Sequence, residues 1–295
     1  MMSNYLAENN KLHFVAIIGS GMLGRRIALM MVAHGATVSI YDNNPQVVIS
    51  ASEYVHEQLP ALWEKTGNKN GKLKVCDSLT EAVTQAGLVI EAIPEVLALK
   101  QALFAELEQK TDTTCILCSN SSSYPIRQIA TSMTPEGRKR VANTHFYMPP
   151  VQNPVEVASS GETDAAVIDA LMRTLPEFGF VPFCVKKESV GFIFNRVWAA
   201  VKRECLEVVA TGVAAPEDVD GIYRANLGAP VGPFELMDRI GLDVVYDIEM
   251  HYTKINPQLS PEPGLLLKAY INNGLLGVKT GKGFYSYDEK GRKIG

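Results

Sequence analysis

The chain has 295 residues, of which 46% are hydrophobic and 20% are charged, and its formal net charge is -4 with a pI near 5.8. This length allows two domains with a sizeable core. The negative net charge argues against a nucleic-acid or anionic-membrane partner, and no apolar run approaches the roughly 18 residues that a membrane-spanning helix needs. The sequence therefore favours a globular protein with a small-molecule partner.

The cysteines and the first residues bear on the cellular compartment. Residues 1–11 are polar and lack the apolar core of a secretory signal. Cys115 and Cys118 form a CxxC pair, but no second pair or nearby histidine completes a metal site, so we predict that they pack in a buried strand and that no metal binds. The other cysteines are scattered along the chain: Cys76, Cys184 and Cys205. A reducing cytoplasm fits this usage best.

A glycine-rich turn is the first functional motif along the chain. The sequence Gly19-Ser20-Gly21-Met22-Leu23-Gly24 follows the strand-like stretch Phe14–Ile18 and opens a helix-like stretch, residues 25–34. GxGxxG between strand and helix is typical of a dinucleotide-binding βαβ unit, where the glycines allow a tight turn, close approach of a pyrophosphate and close helix packing. The helix N-terminus attracts the phosphates. The predicted contacts are Gly19, Gly21, Met22, Leu23 and Gly24.

Asp42 indicates which dinucleotide binds. It ends the second strand-like stretch, Thr37–Tyr41, where an acid accepts hydrogen bonds from the ribose hydroxyls and repels a 2′-phosphate. No compensating positive charge follows it directly, so we predict NAD rather than NADP. Arg25 and Arg26 are interpreted as solvated or phosphate-facing residues of the first helix, with a reach toward the ribose as the alternative.

Strand-like and helix-like stretches continue to alternate up to about residue 185. Strands are predicted at 73–75, 88–90, 115–119, 141–145, 155–157 and 181–185, and helices at 45–63, 80–86, 94–109 and 164–178. This alternation predicts an α/β fold, a Rossmann-type doubly wound and mostly parallel sheet with helices on both faces.

The pattern changes near residue 188. Beyond it, helical periodicity dominates, at 191–211, 216–227, 233–240, 243–254 and 263–272. We therefore predict an NAD-binding domain over residues 1–188 and an all-helical second domain over residues 189–295. The first of these helices is apolar on much of its surface, which fits either a subunit interface or packing within the domain.

Residues 119–156 contain the polar groups suited to catalysis. Ser119–Ser123 is a polar cluster at the end of a predicted parallel strand, where open α/β sheets bind ligands. His145 follows another strand, and Glu156 comes eleven residues later. Oxidation of an alcohol needs a base that titrates near neutral pH, and a carboxylate on the far nitrogen of an imidazole fixes its tautomer. The alternative is a structural histidine, with Glu156 as the polar position of a half-buried strand.

These motifs together resemble the L-3-hydroxyacyl-CoA dehydrogenase family over nearly the whole chain, from Gly19 to Tyr287. The matching segments are VIEAIPE at 89–95 with Lys100, SNSSS at 119–123, His145-Phe146 through Glu156, GFIFNR at 191–196, GPFELMD at 232–238 and KTGKGFY at 279–285.

The resemblance implies a role for each matching position. His145 would be the catalytic base and Glu156 its orienting partner, while Ser122 and Asn195 would contact the 3-oxygen of the substrate. The resemblance also implies that the helical domain forms a homodimer. Three further positions would line the cofactor site: Glu95, Lys100 and Asn120.

Two departures from the family concern the substrate side. Met148-Pro149-Pro150 stands where the family usually has an Asn-Pro pair, and the interval from His145 to Glu156 is one residue shorter than usual. Residues 45–74 are also shorter than the helical hairpin that helps the family hold CoA. Four lysines at the end of this region either bind the CoA phosphates or form a solvated surface: Lys65, Lys69, Lys72 and Lys74.

Three functions follow from these patterns. The leading hypothesis is reversible NAD-dependent oxidation of the 3-hydroxyl of a 3-hydroxyacyl-CoA to the 3-ketoacyl-CoA. The alternative is a dehydrogenase of a free 3-hydroxy acid, such as a sugar acid or a carnitine-like compound, which the shortened hairpin and Met148 favour. A non-catalytic dinucleotide-binding protein is the third hypothesis, and the presence of His145, Glu156, Ser122 and Asn195 argues against it.

Overall fold

The structure is a computed structural model that describes residues 9–294. Its internal contacts divide the chain into two units, Met1–Ile193 and Phe194–Gly295. The predicted domain boundary after residue 188 lies shortly before this division. Residues 1–8, which include most of the polar segment without a secretory-signal core, lie outside the described part of the chain.

One eight-stranded sheet forms the centre of the first unit, with the strand order β3-β2-β1-β4-β5-β6-β7-β8. Neighbouring strands are parallel, except that β6 and β7 are antiparallel. The strands are β1 Phe14–Ile18, β2 Thr37–Tyr41, β3 Lys72–Val75, β4 Leu88–Glu91, β5 Ile116–Ser119, β6 Val141–Phe146, β7 Pro154–Ser159 and β8 Val181–Val185. The predicted Rossmann-type, mostly parallel sheet is confirmed.

Helices cover both faces of this sheet. They are α1 Met22–Ala33, α2 Pro45–Thr66, α3 Leu79–Val83, α4 Leu97–Lys110, α5 Ile126–Ile129 and α6 Ala165–Thr174. Along β1, Ile17 belongs to the core beneath α1 and α2, while Ala16 and Ile18 belong to the core beneath α3 and α4. Burial on both faces explains why the central strands are continuously apolar rather than alternating.

Two predicted helices begin later in the structure than the sequence suggests. The helix expected from Pro94 begins at Leu97, because the Ile93 N–H donates to the Glu91 carboxylate and the Val96 N–H to the Pro94 carbonyl, which holds a turn. The helix expected from Gly191 begins at Phe194. Phe192 has a φ of 49°, in the left-handed region, so the helix cannot extend back through it.

The second unit is helical, as predicted, and adds one short ribbon. Its helices are α7 Phe194–Ala210, α8 Pro216–Leu227, α9 Pro233–Ile240, α10 Leu242–Ile255 and α11 Glu262–Asn272, and the antiparallel strands are β9 Ser286–Tyr287 and β10 Lys293–Ile294. The segment that leads into the ribbon is held by Asp238, whose carboxylate accepts hydrogen bonds from the Phe284 and Tyr285 N–H groups. Burial raises the pKa of Asp238 despite these donors.

The cysteine pair lies inside the sheet. Cys115 is 1% exposed and Cys118 is fully buried, which confirms their predicted packing role. Burial raises the pKa of Cys115 to about 12, so this thiol stays protonated and unreactive at neutral pH. Among the helices of residues 9–294, none has the length and apolar character to cross a membrane.

Candidate active site

The glycine-rich turn has the geometry expected of a phosphate-binding loop. Gly19 has a φ of 91°, and a Cβ at Gly24 would lie 2.0 Å from the Gly19 carbonyl oxygen, so neither position admits a side chain. A Cβ at Gly21 would meet nothing within 4 Å. Gly21 caps α1 without a side chain, which leaves the N–H groups of the first turn available to an anion. The two residues between the glycines differ: Met22 is 64% exposed and Leu23 is partly buried.

Asp42 lies beside a cavity of about 520 Å³ at the carboxyl ends of β1 and β2. Gly19, Tyr41, Ile93 and Leu103 are among its lining residues, so the walls are mostly apolar. The Asp42 carboxylate accepts hydrogen bonds from the Ser20 N–H and the Asn44 N–H, both at 3.0 Å. An apolar cavity with a fixed carboxylate at its edge fits the adenosine half of NAD.

A buried ion pair supports the wall of the same cleft. Lys100 is 1% exposed, and its Nζ donates to Glu91 Oε1 at 2.6 Å and to the Ile93 carbonyl at 3.2 Å. Glu91 is fully buried and also accepts from the Ser119 hydroxyl at 2.6 Å. Burial raises the pKa of Glu91, while Lys100 opposes that shift. The side chain of Lys100 therefore points into the protein, where its charge is neutralised.

Glu95 joins this pair to the serine cluster. Lys100 Nζ lies 3.1 Å from Glu95 Oε2, and the other carboxylate oxygen accepts from the Ser121 hydroxyl and from the Ser123 N–H. Burial acts to raise the pKa of Glu95, but the hydrogen bond from Ser121 and the charge of Lys100 lower it below its ordinary value. The sequence motifs contain Glu91 and Ser121, yet only the contacts give these residues a role.

The remaining serine-cluster residues occupy the end of β5. Asn120 accepts a hydrogen bond from the Phe146 N–H at 2.9 Å, which ties the end of β5 to the residue after His145. Ser122 lies in the turn that follows, and its side chain is exposed. Asn120 and Ser122 are thus at the same sheet edge as His145, as parallel strands require.

The predicted histidine and glutamate are direct partners across two strands. β6 and β7 run antiparallel, and their register places His145 opposite Glu156. His145 Nδ1 lies 2.9 Å from Glu156 Oε2, with the two residues 7% and 2% exposed. Opposed positions in an antiparallel pair bring two Cβ atoms within about 5 Å. Two residues that are eleven positions apart in the sequence are therefore joined by one hydrogen bond.

Three residues that the sequence did not single out surround the pair of His145 and Glu156. The Tyr147 hydroxyl donates to Glu156 Oε2 at 2.7 Å, and the Ile193 N–H donates to Oε1 at 2.8 Å. The Phe192 ring stacks on the His145 ring with centroids 5.4 Å apart. Burial and the neighbouring carboxylate raise the pKa of Tyr147 far above its ordinary value, so its hydroxyl stays a donor.

A sequence signal for Tyr147 was available. It follows His145 by two residues, and the period of two in an extended chain places both side chains on the same side. Phe192 had no such signal, because its contact depends on a left-handed backbone conformation. Asn195 lies in the first turn of α7, in the second unit, two residues after Ile193.

Comparisons with known proteins identify the family of the chain. Residues 14–189 match the family model described as 3-hydroxyacyl-CoA dehydrogenase, NAD binding domain, and residues 191–287 match the model of its C-terminal domain. The mitochondrial hydroxyacyl-coenzyme A dehydrogenase of Rattus norvegicus is 32% identical over 289 residues, which cover 92% of this chain and 90% of the relative. The 3-hydroxyadipyl-CoA dehydrogenase of Escherichia coli is 34% identical, and the alignment covers 92% of this chain and 58% of that protein.

Solved structures give the same result. The (S)-3-hydroxybutyryl-CoA dehydrogenase of Ralstonia eutropha is 28% identical with a TM-score of 0.82, over 93% of this chain and 99% of that one. A diketoreductase is 30% identical with a TM-score of 0.77, over 92% of this chain and 98% of that one. The predicted cofactor, NAD, is confirmed by the matched NAD-binding domain. The chain belongs to the 3-hydroxyacyl-CoA dehydrogenase family and is an NAD-dependent oxidoreductase that acts on a CH–OH group.

Proposed function

We propose that this protein catalyses the reversible oxidation of the 3-hydroxyl of a 3-hydroxyacyl-CoA to the 3-ketoacyl-CoA, with His145 as the base and Glu156 as its orienting partner. The observation that supports this proposal is the hydrogen bond between His145 Nδ1 and Glu156 Oε2 at 2.9 Å. It lies at the sheet edge where the glycine-rich loop and the serine cluster also end.

The pairing assigns a role to each nitrogen of the imidazole. Glu156 holds the proton on Nδ1, which leaves Nε2 with a free lone pair in the neutral ring. Nε2 accepts the proton of the 3-hydroxyl, and the imidazolium so formed is stabilised by the carboxylate. Bound NAD supplies the acceptor for the hydride that leaves C3. In the reverse direction His145 returns the proton to the oxygen.

The other predicted residues receive supporting roles in this proposal. Ser122 and Asn195 donate hydrogen bonds to the substrate oxygen, where negative charge develops as the proton leaves. Asp42 binds the adenine ribose, and the phosphates bind at Gly19, Gly21 and Gly24 with the neighbouring N–H groups of Met22 and Leu23. Glu95 and Asn120 line the cofactor site in this proposal, and Lys100, whose side chain is buried, supports that site through its ion pair with Glu95.

The proposal predicts that acetoacetyl-CoA oxidises NADH in the presence of the protein. The His145→Ala variant should lower kcat by roughly 10²–10⁴-fold, because general base catalysis contributes about that much, while the Kd of NADH changes little. The measurement is the loss of NADH absorbance, with NADH affinity determined by fluorescence titration.

A matched control separates lost chemistry from lost folding. His56 lies on the exposed surface of α2, where its Nδ1 is 2.8 Å from the Ser52 carbonyl oxygen, and His56→Ala should keep the activity of the parent protein. If His145→Ala retains turnover comparable to His56→Ala, His145 is not the base.

A dehydrogenase of a free 3-hydroxy acid is the second candidate. Residues 45–66 form a single helix capped by Gly67, rather than a hairpin, and Met148, which stands where the family usually has an Asn-Pro pair, is 38% exposed. The related diketoreductase catalyses reactions of dicarbonyl compounds. A similar chain therefore acts on substrates that are described by their carbonyl groups. Turnover of free 3-keto or 3-hydroxy acids, without turnover of acetoacetyl-CoA, would replace the first proposal by this one.

Two further properties belong to this proposal. We infer a homodimer formed through the helical unit, as the family resemblance implies, and a cytoplasmic location, as the free cysteines suggest.

A further inference from the structure

Two adjacent arginines in the first unit form an unusual cation cluster with a tyrosine. The Arg25 guanidinium lies 4.5 Å from the centroid of the Tyr54 ring, and that of Arg26 lies 5.6 Å from the same centroid. Arg25 and Arg26 are on α1, and Tyr54 is on α2. We call Arg25, Arg26 and Tyr54 the arginine cluster.

The arginine cluster contains no internal anion. Among residues 9–294, neither Arg25 nor Arg26 forms an ion pair, and the buried Nε atom of each has no hydrogen-bond partner. The carboxylates of Glu53 and Glu57, the nearest acids along α2, are exposed and do not pair with them. Two like charges on one ring repel each other, and an anion placed between them relieves that repulsion.

The cluster is connected to the loop that follows the proposed catalytic histidine. Arg26 Nη1 donates to the Pro149 carbonyl at 3.2 Å, and Pro149 is four residues after His145. Met148, in the same loop, is 38% exposed. The Arg26 guanidinium therefore lies beside the loop of residues 148–150, which the family resemblance assigns to the substrate side, and the Arg25 guanidinium shares the Tyr54 ring with it.

We propose that Arg25 and Arg26, held by Tyr54, form a subsite that binds an anionic group of the substrate, a carboxylate or a phosphate. The proposal rests on the proposed function, because it assigns a handle to the substrate of that site. The planar guanidinium forks suit both oxyanions. Stacking on Tyr54 limits the freedom of both side chains before the anion arrives, so little further ordering is needed on binding.

Three substrates distinguish whether the anion that binds is a phosphate or a carboxylate. Acetoacetyl-CoA carries phosphates and no free carboxylate, acetoacetate carries a carboxylate and no phosphate, and S-acetoacetylpantetheine carries neither. Arg25→Gln is the diagnostic variant, because the Arg25 side chain makes no hydrogen bond within the described part of the chain whose loss would disturb the fold. Arg26→Gln is its companion, and Arg173→Gln, an exposed arginine on α6, is the charge-matched control.

We expect Arg25→Gln and Arg26→Gln to raise the KM of the anionic substrate by roughly 10- to 100-fold, which is the range for a lost charge-assisted hydrogen bond. The kcat should change little, since this interaction is equal in the ground and transition states. The KM of the pantetheine thioester should not change, and Arg173→Gln should behave as the parent protein. A selective loss with acetoacetyl-CoA identifies a phosphate, and one with acetoacetate identifies a carboxylate.

Three results overturn the proposal. One is an equal loss with the pantetheine thioester, which would indicate a structural role. Another is a rise in the Kd of NADH without a change in substrate KM, which would assign the cluster to the cofactor. The third is no change with any substrate.

A measurement without turnover keeps this test separate from the proposed activity. Calorimetric titration of CoA and of acetoacetate into the NADH-saturated protein gives Kd values for the parent and both variants. If the parent reduces none of the three substrates, the proposed function fails, and the Kd values alone decide the subsite: weaker anion binding in Arg25→Gln supports it, and equal binding overturns it.

Discussion

At the scale of one residue, the neighbours of Glu156 hold its carboxylate in the position that its proposed role, the orientation of His145, requires. It is 2% exposed and accepts hydrogen bonds from His145, from the Tyr147 hydroxyl and from the Ile193 N–H. A buried carboxylate needs such donors to remain charged. The donors also fix the plane of the carboxylate, so that Oε2 faces the imidazole.

Tyr147 is therefore expected to act as a positioning residue. Its hydroxyl competes with His145 for Glu156 Oε2, so Tyr147→Phe should leave a carboxylate that supports the imidazolium more strongly. The acid limb of the pH–rate profile for hydroxyl oxidation should then move to higher pH, by about half to one unit for a net loss of roughly 1 kcal/mol. The Kd of NADH should stay unchanged. The pH profile of kcat/KM measures this effect, and an unmoved acid limb would assign Tyr147 to packing alone.

Phe192 illustrates a limit of sequence reasoning at this scale. Its apolar spacing predicts that it belongs to the helix that follows. In the structure it has a φ of 49° and stacks on His145. Such a backbone conformation costs of order 1–3 kcal/mol and persists only where tertiary contacts compensate it.

At the scale of elements, β4 and α4 are joined by a buried ion pair. Glu91 ends β4, Lys100 lies in the first turns of α4, and both are almost completely buried. The pair holds the turn that contains Ile93 and Pro94, which line the cavity proposed for the adenosine. Removing one partner leaves the other as an uncompensated charge in the core.

Lys100→Met should therefore lower the free energy of unfolding by about 3–5 kcal/mol at pH 7.5. Burial already raises the pKa of Glu91, and without the lysine the folded protein favours the protonated acid further. A raised folded pKa means that the penalty is absent at low pH and grows as the pH rises through that pKa. The loss of unfolding free energy in Lys100→Met should accordingly be smaller at pH 5 than at pH 7.5.

Urea unfolding at both pH values measures this prediction. Lys110→Met, on the same helix but with a side chain that reaches solvent, is the matched control and should cost less than about 1 kcal/mol. Glu91→Gln combined with Lys100→Met should recover part of the loss. A deficit that is equal at the two pH values would contradict the assignment of a charged Glu91.

At the scale of the whole molecule, the chain combines an NAD-binding sheet unit and a helical unit. The helical unit exposes large apolar side chains, among them Phe194 at 53% and Val197 at 58% on α7. Apolar side chains that are three residues apart on a helix share one face. An exposed apolar face of this kind fits the proposed subunit interface.

Val197→Asp should therefore shift the protein from dimer to monomer. A buried unpaired carboxylate at an interface costs several kcal/mol, which is enough to raise the dimer Kd by about a hundredfold or more. Sedimentation equilibrium measures the mass. Val181→Asp, a similarly exposed valine in the first unit at 51%, is the control and should leave the dimer intact. A monomeric parent protein, or a dimer in both variants, would argue against this interface.

Local patterns in the chain were enough to predict the fold class and NAD, because strand and helix periods, glycine spacing and an acid at a strand end depend on neighbouring residues. The roles of His145 and Glu156 were left open by those patterns and came from the family resemblance. Which residues surround them depends on tertiary packing. The antiparallel register of β6 and β7 places Glu156 opposite His145. The left-handed backbone at Phe192 brings the phenyl ring of Phe192 to the imidazole. Arg25 and Arg26 were interpreted from the sequence as phosphate-facing or solvated residues, whereas in the structure both lie over the Tyr54 ring and Arg26 also donates to the Pro149 carbonyl. Contacts between distant segments have no local pattern, since they follow from how the helices pack on the sheet.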